Sequence, residues 1–378
     1  MRIRSLPRAG LVVALSLCLH GGVLGCTRAD DERVDPPSGS GAPSASTGAS
    51  SSSSMSPAPM TTAPMATAPP STTASAELDP YATAEPATSA VGKVSEEWLE
   101  APDGRRRHFR LYVPTALRVG EAAPLLIALH GGLGTSEQFA VNSGFDELAE
   151  ANGFIVVYPD GIRAAPDRPG LQTWNGGYCC GPAARQDVDD VGYVRFLIDL
   201  LEERLNVDAA RIFAAGHSNG AIMAYRLACE LSDRIVAIGV QAGSLGIDEC
   251  RPKESVSVLH IHGLADTNHP IDGGVGTGVS GVDFRSARVA VRTLAELDGC
   301  DGEPLVDLVE SKPDLEVSTW SNCASGAVVR LITVEGASHA WMGHRAASEG
   351  AAALVGEPYE DFDSSRAIWS FLNQHARD

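Results

Sequence analysis

Apolar residues in the last three quarters of the chain are grouped in short, nearly continuous runs. The runs cover residues 125–129, 154–158, 212–215, 235–240, 256–261 and 328–334. Continuous apolarity over so few residues is typical of strands that are buried on both faces of a parallel sheet. Two earlier segments, 94–101 and 106–113, flank Asp103-Gly104, a dipeptide that favours a tight hairpin turn. The pattern therefore predicts a β-hairpin followed by a set of buried strands.

The stretches between the runs have helical periodicity. One of them carries apolar residues three or four positions apart, namely Val191, Val194, Leu197, Ile198, Leu201 and Leu205. Shorter helices are predicted over 145–150, 221–231 and 364–374. Strands that alternate with helices indicate one α/β domain over residues 92–378, with a mostly parallel, doubly wound sheet and an N-terminal β-hairpin.

The first 26 residues have the features of a secretion signal. Three arginines occur among the first eight residues, and the apolar segment at 11–19 is too short to span a membrane. The segment ends at Val23-Leu24-Gly25-Cys26, which resembles the bacterial lipobox and implies that Cys26 carries a lipid. The alternative is ordinary secretory cleavage near Gly21-Gly22. We expect an extracytoplasmic protein that is anchored by its lipid. Thr27, rather than Asp, follows the cysteine, and by resemblance to enterobacterial lipoprotein sorting this favours the outer membrane or cell surface.

Residues 27–91 are predicted to be a disordered linker between the anchor and the folded domain. From residue 27 to 75 the chain has no aromatic residue, no Leu and no Ile, and five consecutive serines occupy 50–54. A segment of Ser, Thr, Pro and Ala cannot bury enough apolar surface to offset its loss of conformational entropy.

The charge of the chain limits its partners. The formal net charge is −19, from 48 acidic and 29 basic residues. Binding to a phosphate backbone needs clustered Lys and Arg, so the balance argues against a nucleic-acid partner. We expect a monomer that meets the membrane only through its lipid anchor.

The cysteines indicate disulfide bonds. Cys18 would leave with the signal sequence and Cys26 would take the lipid. The six that remain are Cys179, Cys180, Cys229, Cys250, Cys300 and Cys323. An even number in an exported protein is more typical of disulfides than of a metal site.

Two pairings follow from the predicted elements. Cys300 and Cys323 bracket a predicted strand at 317–320 and are expected to pair. Cys229 lies near the end of one helix and Cys250 follows the next strand, which makes them the second pair. The two adjacent cysteines then either bridge each other or contribute one member to a pair with Cys229 or Cys250.

The segment Gly216-His217-Ser218-Asn219-Gly220 is the strongest chemical signal in the chain. It lies between the apolar run at 212–215 and the helix predicted at 221–231. A G-x-S-x-G sequence between a buried strand and a helix is the pattern of a nucleophile elbow, in which a sharp turn exposes the serine. Ser218 is therefore the candidate nucleophile.

A nucleophilic serine needs a base and a carboxylate that orients the base. Asp266 follows the run at 256–261, and His339 follows the run at 328–334, which gives the order serine, acid, histidine. His262, His269 and His344 are the rival bases. His262 lies before the acid and is expected to pack or hydrogen-bond locally, His269 directly precedes Pro270 in a loop, and His344 follows its strand by ten residues. His339 is therefore preferred.

The oxyanion hole needs two backbone N–H donors. Asn219, directly after the nucleophile, is the first candidate donor. The second is expected in the glycine-containing loop after the run at 125–129, where Gly132 is the first choice and Leu133 the second.

Together these motifs resemble the extracellular polyhydroxybutyrate depolymerase and feruloyl esterase group of serine esterases, of the α/β-hydrolase fold. The matching segments are residues 129–132, 158–161, 174–175, 179–181, 188–191, 216–220, 262–266 and 338–341. The resemblance implies a secreted carboxylic ester hydrolase, without cofactor or metal, that acts on short polyester or aryl-ester substrates. Family members commonly have Gly-Gly-His-x-Trp-Pro-Gly at the last histidine. This chain has Ala337-Ser338-His339-Ala340-Trp341-Met342-Gly343 instead, which alters the rim of the pocket.

The substrate itself is not determined by these motifs. No segment that resembles a polymer-binding domain follows the catalytic domain, so a soluble feruloyl, acetyl or oligohydroxyalkanoate ester is expected. Trp174 and Trp341 could line the substrate pocket, or could pack in the core. Asp189 and Asp190 begin a helix, where acidic residues usually complement the helix dipole.

Other functions stay open at this point. One is a lipase or peptidase of the same fold. Another is a surface binding lipoprotein that keeps the fold without turnover. The third is an adhesion or structural lipoprotein, which only the tether favours.

Overall fold

The structure is a computed structural model, and it describes residues 92–115, 117, 120–163, 170–278, 280–345 and 348–377. The signal sequence, Cys26 and the whole of the predicted linker lie outside these residues. Within the described ranges, no helix is long and apolar enough to cross a membrane.

Most of the strands belong to one sheet. The strands are β1 (Lys93–Glu100), β2 (Arg106–Val113), β3 (Ala123–Leu129), β4 (Ile155–Pro159), β5 (Ile162–Arg163), β6 (Gln172–Thr173), β7 (Val207–His217), β8 (Ala237–Gln241), β9 (Ser257–Gly263), β10 (Gly274–Val275), β11 (Asp283–Phe284), β12 (Leu305–Leu308), β13 (Leu315–Trp320) and β14 (Val329–Val334). The helices are α1 (Ser136–Ser143), α2 (Phe145–Asn152), α3 (Gly181–Arg185), α4 (Asp190–Arg204), α5 (Asn219–Glu230), α6 (Ala287–Leu297), α7 (Glu349–Val355) and α8 (Ser364–Leu372).

The main sheet has the strand order β1-β2-β4-β3-β7-β8-β9-β14-β13-β12. Its six central strands, from β4 to β14, pair in parallel. The hairpin β1–β2 and the pair β13–β12 add antiparallel strands at the two edges. From β3 the chain first adds β4 on one side and later adds β7, β8, β9 and β14 on the opposite side, so the sheet is doubly wound. The predicted α/β-hydrolase fold is confirmed.

The central strands are mostly apolar because helices cover both faces of the sheet. Along β3, Leu125 and Ile127 belong to the core that includes α4, α5 and α6. Leu126 and Ala128 point the other way, into the core that includes α1, α2 and α8. Alternate side chains of a strand point to opposite faces, so a strand between two helical layers is apolar at most of its positions.

A buried ion pair attaches the N-terminal hairpin to α4. Arg107 on β2 donates to Asp190 across 2.6 Å, and both side chains are almost completely buried. The other oxygen of Asp190 accepts the backbone N–H of Asn175 at 2.8 Å. Asp189 caps α4 by accepting the N–H of Gly192. The two aspartates therefore start and anchor the helix, as the helix-dipole interpretation predicts.

Three disulfide bonds are present in the described part of the chain. They join Cys300 to Cys323, Cys229 to Cys250, and Cys179 to its neighbour Cys180. The first bond closes the excursion that contains β12 and β13, and the second attaches the end of α5 to the segment before β9. Neither of the adjacent cysteines pairs with the Cys229–Cys250 region, which was the other possibility left open by the sequence.

Candidate active site

Ser218 sits in a sharp turn between β7 and α5. Its backbone has φ 54° and ψ −119°, a conformation that non-glycine residues rarely adopt. A side chain at Gly216 would overlap the carbonyl of Gly220, and one at Gly220 would overlap the carbonyl of Leu129 on β3. The two glycines therefore allow the turn to close against the neighbouring strand, which exposes the serine at the carboxyl end of the sheet.

The structure brings Ser218, His339 and Asp266 into one hydrogen-bonded line. His339 Nε2 lies 2.9 Å from Ser218 Oγ, and His339 Nδ1 lies 2.7 Å from Asp266 Oδ2. The carboxylate can only accept, so the proton of a neutral His339 is on Nδ1 and its Nε2 is free to take the serine proton. This is the geometry that a general base needs.

Asp266 is buried but held as a carboxylate. Its Oδ1 accepts the backbone N–H groups of Asn268 and His269, each at 2.9 Å. Burial opposes its ionisation, yet the hydrogen bond to His339, the electrostatic interactions with His339 and His262, and the backbone donor of His269 outweigh burial and lower its pKa. The acid is therefore ionised and fixed at neutral pH.

The rival bases His269 and His344 are engaged elsewhere. The ring of His269 stacks on Phe284, with 4.2 Å between ring centroids. His344 Nε2 lies 3.2 Å from Asp363 Oδ1. His339 is the histidine that the fold delivers to Ser218.

The loop after β3 meets the nucleophile turn. A side chain at Gly132 would lie 3.5 Å from Asn219 Cβ, so Gly132 faces the start of α5. The N–H of Leu133 already donates to the carbonyl of Gln172 at 2.7 Å, which removes the second-choice donor. Asn219 is the first residue of α5, where backbone N–H groups have no intrahelical acceptor. Gly132 and Asn219 are thus the candidate oxyanion donors.

His130 fixes the conformation of the loop after β3, residues 130–134, which we call the oxyanion loop. Its Nε2 accepts the N–H of Gly161 at 3.0 Å, so its Nδ1 carries the proton and donates to the carbonyl of Gly131 at 2.8 Å. Burial lowers the pKa of His130, which keeps the ring neutral and preserves this division into one donor and one acceptor.

Trp174 does not line the substrate pocket, and that prediction is wrong. Its side chain is completely buried, and its indole Nε1–H donates to the carbonyl of His130 at 3.0 Å. Its backbone N–H donates to Asn219 Oδ1 at 2.7 Å, and its carbonyl accepts from Asn219 Nδ2 at 3.1 Å. Trp174 therefore supports the oxyanion loop from behind. An asparagine suits the position after the nucleophile because its amide group both accepts from and donates to the backbone of Trp174.

A cavity of about 640 Å³ opens above Ser218. Its larger apolar and aromatic lining residues are Leu133, Phe139, Tyr178, Val282, Phe284, Trp341, Leu354 and Val355. Trp341, the second predicted pocket residue, does line it. The indole Nε1–H of Trp341 donates to Ser365 Oγ at 2.9 Å, and its ring meets the edge of Phe139. A buried partner on one side and a ring contact on the other leave Trp341 with one fixed orientation.

Two residues that sequence reasoning missed hold the loop that carries His339. His217 Nε2–H donates to the backbone carbonyl of His339 at 2.7 Å, and burial lowers the pKa of His217 to about 3. Gln241, at the end of β8, donates to the carbonyl of Ala340 at 2.7 Å and accepts the N–H of Met342 at 3.3 Å. The position of His217 beside Ser218 was the only signal in the sequence for either residue.

Metal chemistry has no evident ligand set here. In the ranges that the structure describes, no group of three or more His, Cys, Asp or Glu side chains could hold a metal ion.

The sheet topology and the Ser–His–Asp line define a member of the α/β-hydrolase superfamily. Residues 101–276 match the family model described as "Putative esterase". Feruloyl esterase B of Piromyces equi is 32% identical over 234 residues, which cover 60% of this chain and 41% of that protein. "Putative esterase NocK" of Nocardia uniformis subsp. tsuyamanensis is 30% identical over 260 residues, 64% of this chain and 72% of that protein.

A third relative is the bifunctional acetylxylan esterase/xylanase XynS20E of Neocallimastix patriciarum. It is 23% identical over 241 residues, 62% of this chain and 31% of that protein. The chain thus spans less than half the length of two of these three relatives. It belongs to this esterase family, the serine esterase group of the α/β-hydrolase superfamily.

Proposed function

We propose that the protein hydrolyses carboxylic esters through an acyl-enzyme on Ser218. The observation that carries the proposal is the unbroken line from Ser218 Oγ through His339 to Asp266 at the floor of the cavity. His339 Nε2 takes the serine proton as Oγ attacks the ester carbonyl, and Asp266 stabilises the imidazolium that forms. The N–H groups of Gly132 and Asn219 stabilise the oxyanion of the tetrahedral intermediate.

The second half of the reaction uses the same groups. The protonated His339 gives its proton to the leaving alcohol as the intermediate collapses to an ester on Ser218. A water molecule, deprotonated by His339, then attacks this ester and releases the acid. No step needs a cofactor.

The proposed substrates are feruloyl- and acetyl-type esters or short hydroxyalkanoate esters. Two relatives are named feruloyl esterase and acetylxylan esterase, which supports the first two classes. The cavity is within the size range of small-molecule sites, and the aromatic rings of Phe139, Phe284 and Trp341 in its lining suit a planar aryl group. The hydroxyalkanoate class rests on the sequence resemblance alone.

A substrate panel tests the proposal. The wild-type protein and Ser218→Ala are assayed with a feruloyl ester, an acetylated xylooligosaccharide, a hydroxybutyrate dimer, p-nitrophenyl esters and peptide amides. We expect hydrolysis of at least one ester, none of the amides, and a loss of about 10⁴-fold or more in the variant. Ester turnover by Ser218→Ala within about tenfold of wild type would refute the nucleophile assignment.

A fluorophosphonate probe separates an enzyme from a binding protein of the same fold. Such a probe reacts with an activated serine, so it should label the wild type and not Ser218→Ala. A wild-type protein that is folded but unlabelled would favour the binding lipoprotein instead.

We also propose that the protein is exported and anchored by a lipid on Cys26. The signal-like N-terminus and the lipobox resemblance support this, and the three disulfide bonds suit an oxidising compartment. Labelled palmitate should be incorporated into the wild type and not into Cys26→Ser. An unlabelled wild type released to the medium would instead indicate a plain secreted protein.

A further inference from the structure

A row of buried polar side chains runs beneath the acid of the triad, from α5 across β9. Tyr225 Oη lies 2.8 Å from His260 Nδ1, and His260 Nε2 lies 3.0 Å from His262 Nδ1. His262 Nε2 ends the row 2.8 Å from the backbone carbonyl of His269. All three side chains are completely buried. We call Tyr225, His260 and His262 the polar row.

The last acceptor fixes the direction of every hydrogen bond in the polar row. A backbone carbonyl only accepts, so His262 carries its proton on Nε2 and, being neutral, must accept at Nδ1. His260 therefore donates from Nε2 and accepts at Nδ1, where the hydroxyl of Tyr225 donates. One orientation satisfies all the groups, which makes the row a rigid support.

His262 is placed to control the triad acid in two ways. Its Nε2 lies 3.5 Å from Asp266 Oδ2, the oxygen that also accepts from His339. It also holds the carbonyl of His269, while the N–H of His269 donates to the other oxygen of Asp266. The donor of His262 thus fixes both the turn that presents the carboxylate and the field at its working oxygen.

We propose that His262 is a positioning residue for Asp266, with its donor aligned by His260 and Tyr225. The inference rests on the proposed function only in giving Asp266 a catalytic task. The geometry of the row is independent of the substrate.

The charges around the row favour this role. The groups that face His260 and His262 are Asp266, His269, His339 and Arg288. Burial is the main reason why the pKa of His262 is lowered to about 4 and that of His260 lies well below its usual value. The row therefore supports the turn that carries Asp266 through neutral rings joined by hydrogen bonds.

Two substitutions at one position separate positioning from packing. The amide nitrogen of Gln reaches the place of a histidine Nε2, whereas that of Asn reaches only the place of Nδ1. His262→Gln therefore keeps a donor toward the His269 carbonyl, and His262→Asn loses it. His375→Asn is the matched control, because His375 is also a histidine bonded to β9, through Ser257, with its pKa lowered by burial.

The readouts are kcat, KM and the far-downfield proton resonance of the His339 Nδ1–H in the full-length protein. For His262→Asn we expect kcat to fall about 30-fold or more with KM within about threefold, and the resonance to shift. His262→Gln should recover most of kcat and the wild-type resonance. His375→Asn should leave both unchanged.

Three results would overturn the proposal. They are a kcat of His262→Asn within about threefold of wild type, an unmoved His339 resonance, or an equal loss of kcat in His375→Asn. If even the wild type hydrolyses no ester while the resonance still shifts in His262→Asn and not in the control, the proposed function fails and the positioning role stands.

Discussion

Lowering the pH from 7 to 5 should destabilise the folded domain strongly. Six described histidines have a lowered pKa, and burial is the largest cause for each. They are His130, His217, His260, His262, His269 and His375. Unfolding releases these rings into water, where their pKa returns to about 6.5.

The sign of the effect follows from proton uptake. Between pH 6.5 and the folded-state pKa, the unfolded chain binds more protons than the folded one, so stability falls as the pH falls. The folded-state pKa is about 3 for His217, about 4 for His262 and about 3 for His269. Each should therefore lose about 2 kcal/mol of stabilisation between pH 7 and pH 5, or about 6 kcal/mol for the three.

Two described carboxyl groups oppose the trend, because burial raises the pKa of Asp190 as well as that of Asp298. Burial raises the pKa of Asp298 to about 6, so this group binds a proton in the folded state first and offsets about 1 kcal/mol. Asp266, whose pKa is lowered, loses its contribution only below its ordinary value of 3.8, outside this window. For these three histidines and Asp298 together the loss is about 5 kcal/mol, which is comparable to the whole stability of many domains.

Urea unfolding, followed by circular dichroism with the disulfides intact, measures this at pH 7 and pH 5. We expect a much lower midpoint at pH 5 with an unchanged slope. A fall in the free energy of unfolding of less than about 2 kcal/mol would refute the reasoning, because at least one of the rings would then be protonated or solvated in the folded state.

Three further predictions concern the acid, a disulfide and the ion pair. Asp266→Asn should lower kcat about 10³-fold or more, whereas His344→Ala should keep most of the activity. A reversed ranking in ester assays would show that the base has been assigned to the wrong loop. Replacing Cys300 and Cys323 by serine should cost about 3 kcal/mol in urea unfolding, and peptide mapping that joins Cys300 to another cysteine would refute the pairing. Asp190→Asn should cost about 3 kcal/mol or more by leaving a buried arginine unpaired, and a variant as stable as wild type would show that the pair is solvated.

The sequence predicted best those parts of the fold in which burial restricts the residue types most strongly. The six central strands are mostly apolar because helices cover both faces, so the runs of apolar residues revealed them. The edge strand β12 (Leu305–Leu308) is exposed at all four residues, and no buried face imposes a pattern on it. Such a strand is defined by pairing with β13, which is a tertiary interaction.

The candidate triad could be placed from sequence because chain order and strand ends constrain it. Several of its supports could not, because they are hydrogen bonds between segments far apart in the chain, such as those from His217 to His339 and from Gln241 to Ala340. Trp174 shows the difficulty. An aromatic ring suits both a substrate pocket and a core, and its side chain was assigned only when its indole N–H was found on a carbonyl 44 residues away.

The histidines around the site fall into two kinds, distinguished by their partners. His130, His217 and His262 each donate to a backbone carbonyl, at 2.7 or 2.8 Å. A carbonyl can accept a hydrogen bond from the ring N–H, but it cannot stabilise a positively charged imidazolium as a carboxylate does. Burial disfavours the imidazolium further. These rings are therefore restricted to the neutral form, in which one nitrogen is always a donor.

His339 differs from all of them because its ring lies between a carboxylate and a hydroxyl. The carboxylate of Asp266 stabilises the charged ring, and the Ser218 hydroxyl is the group from which the proton comes. Proton transfer is therefore favourable at His339. The neutral histidines hold the three loops around it in place, namely the loop after β3, the loop that carries His339 and the turn that carries Asp266. A site with many histidines thus needs only one base, and the identity of that base follows from what its two nitrogens contact.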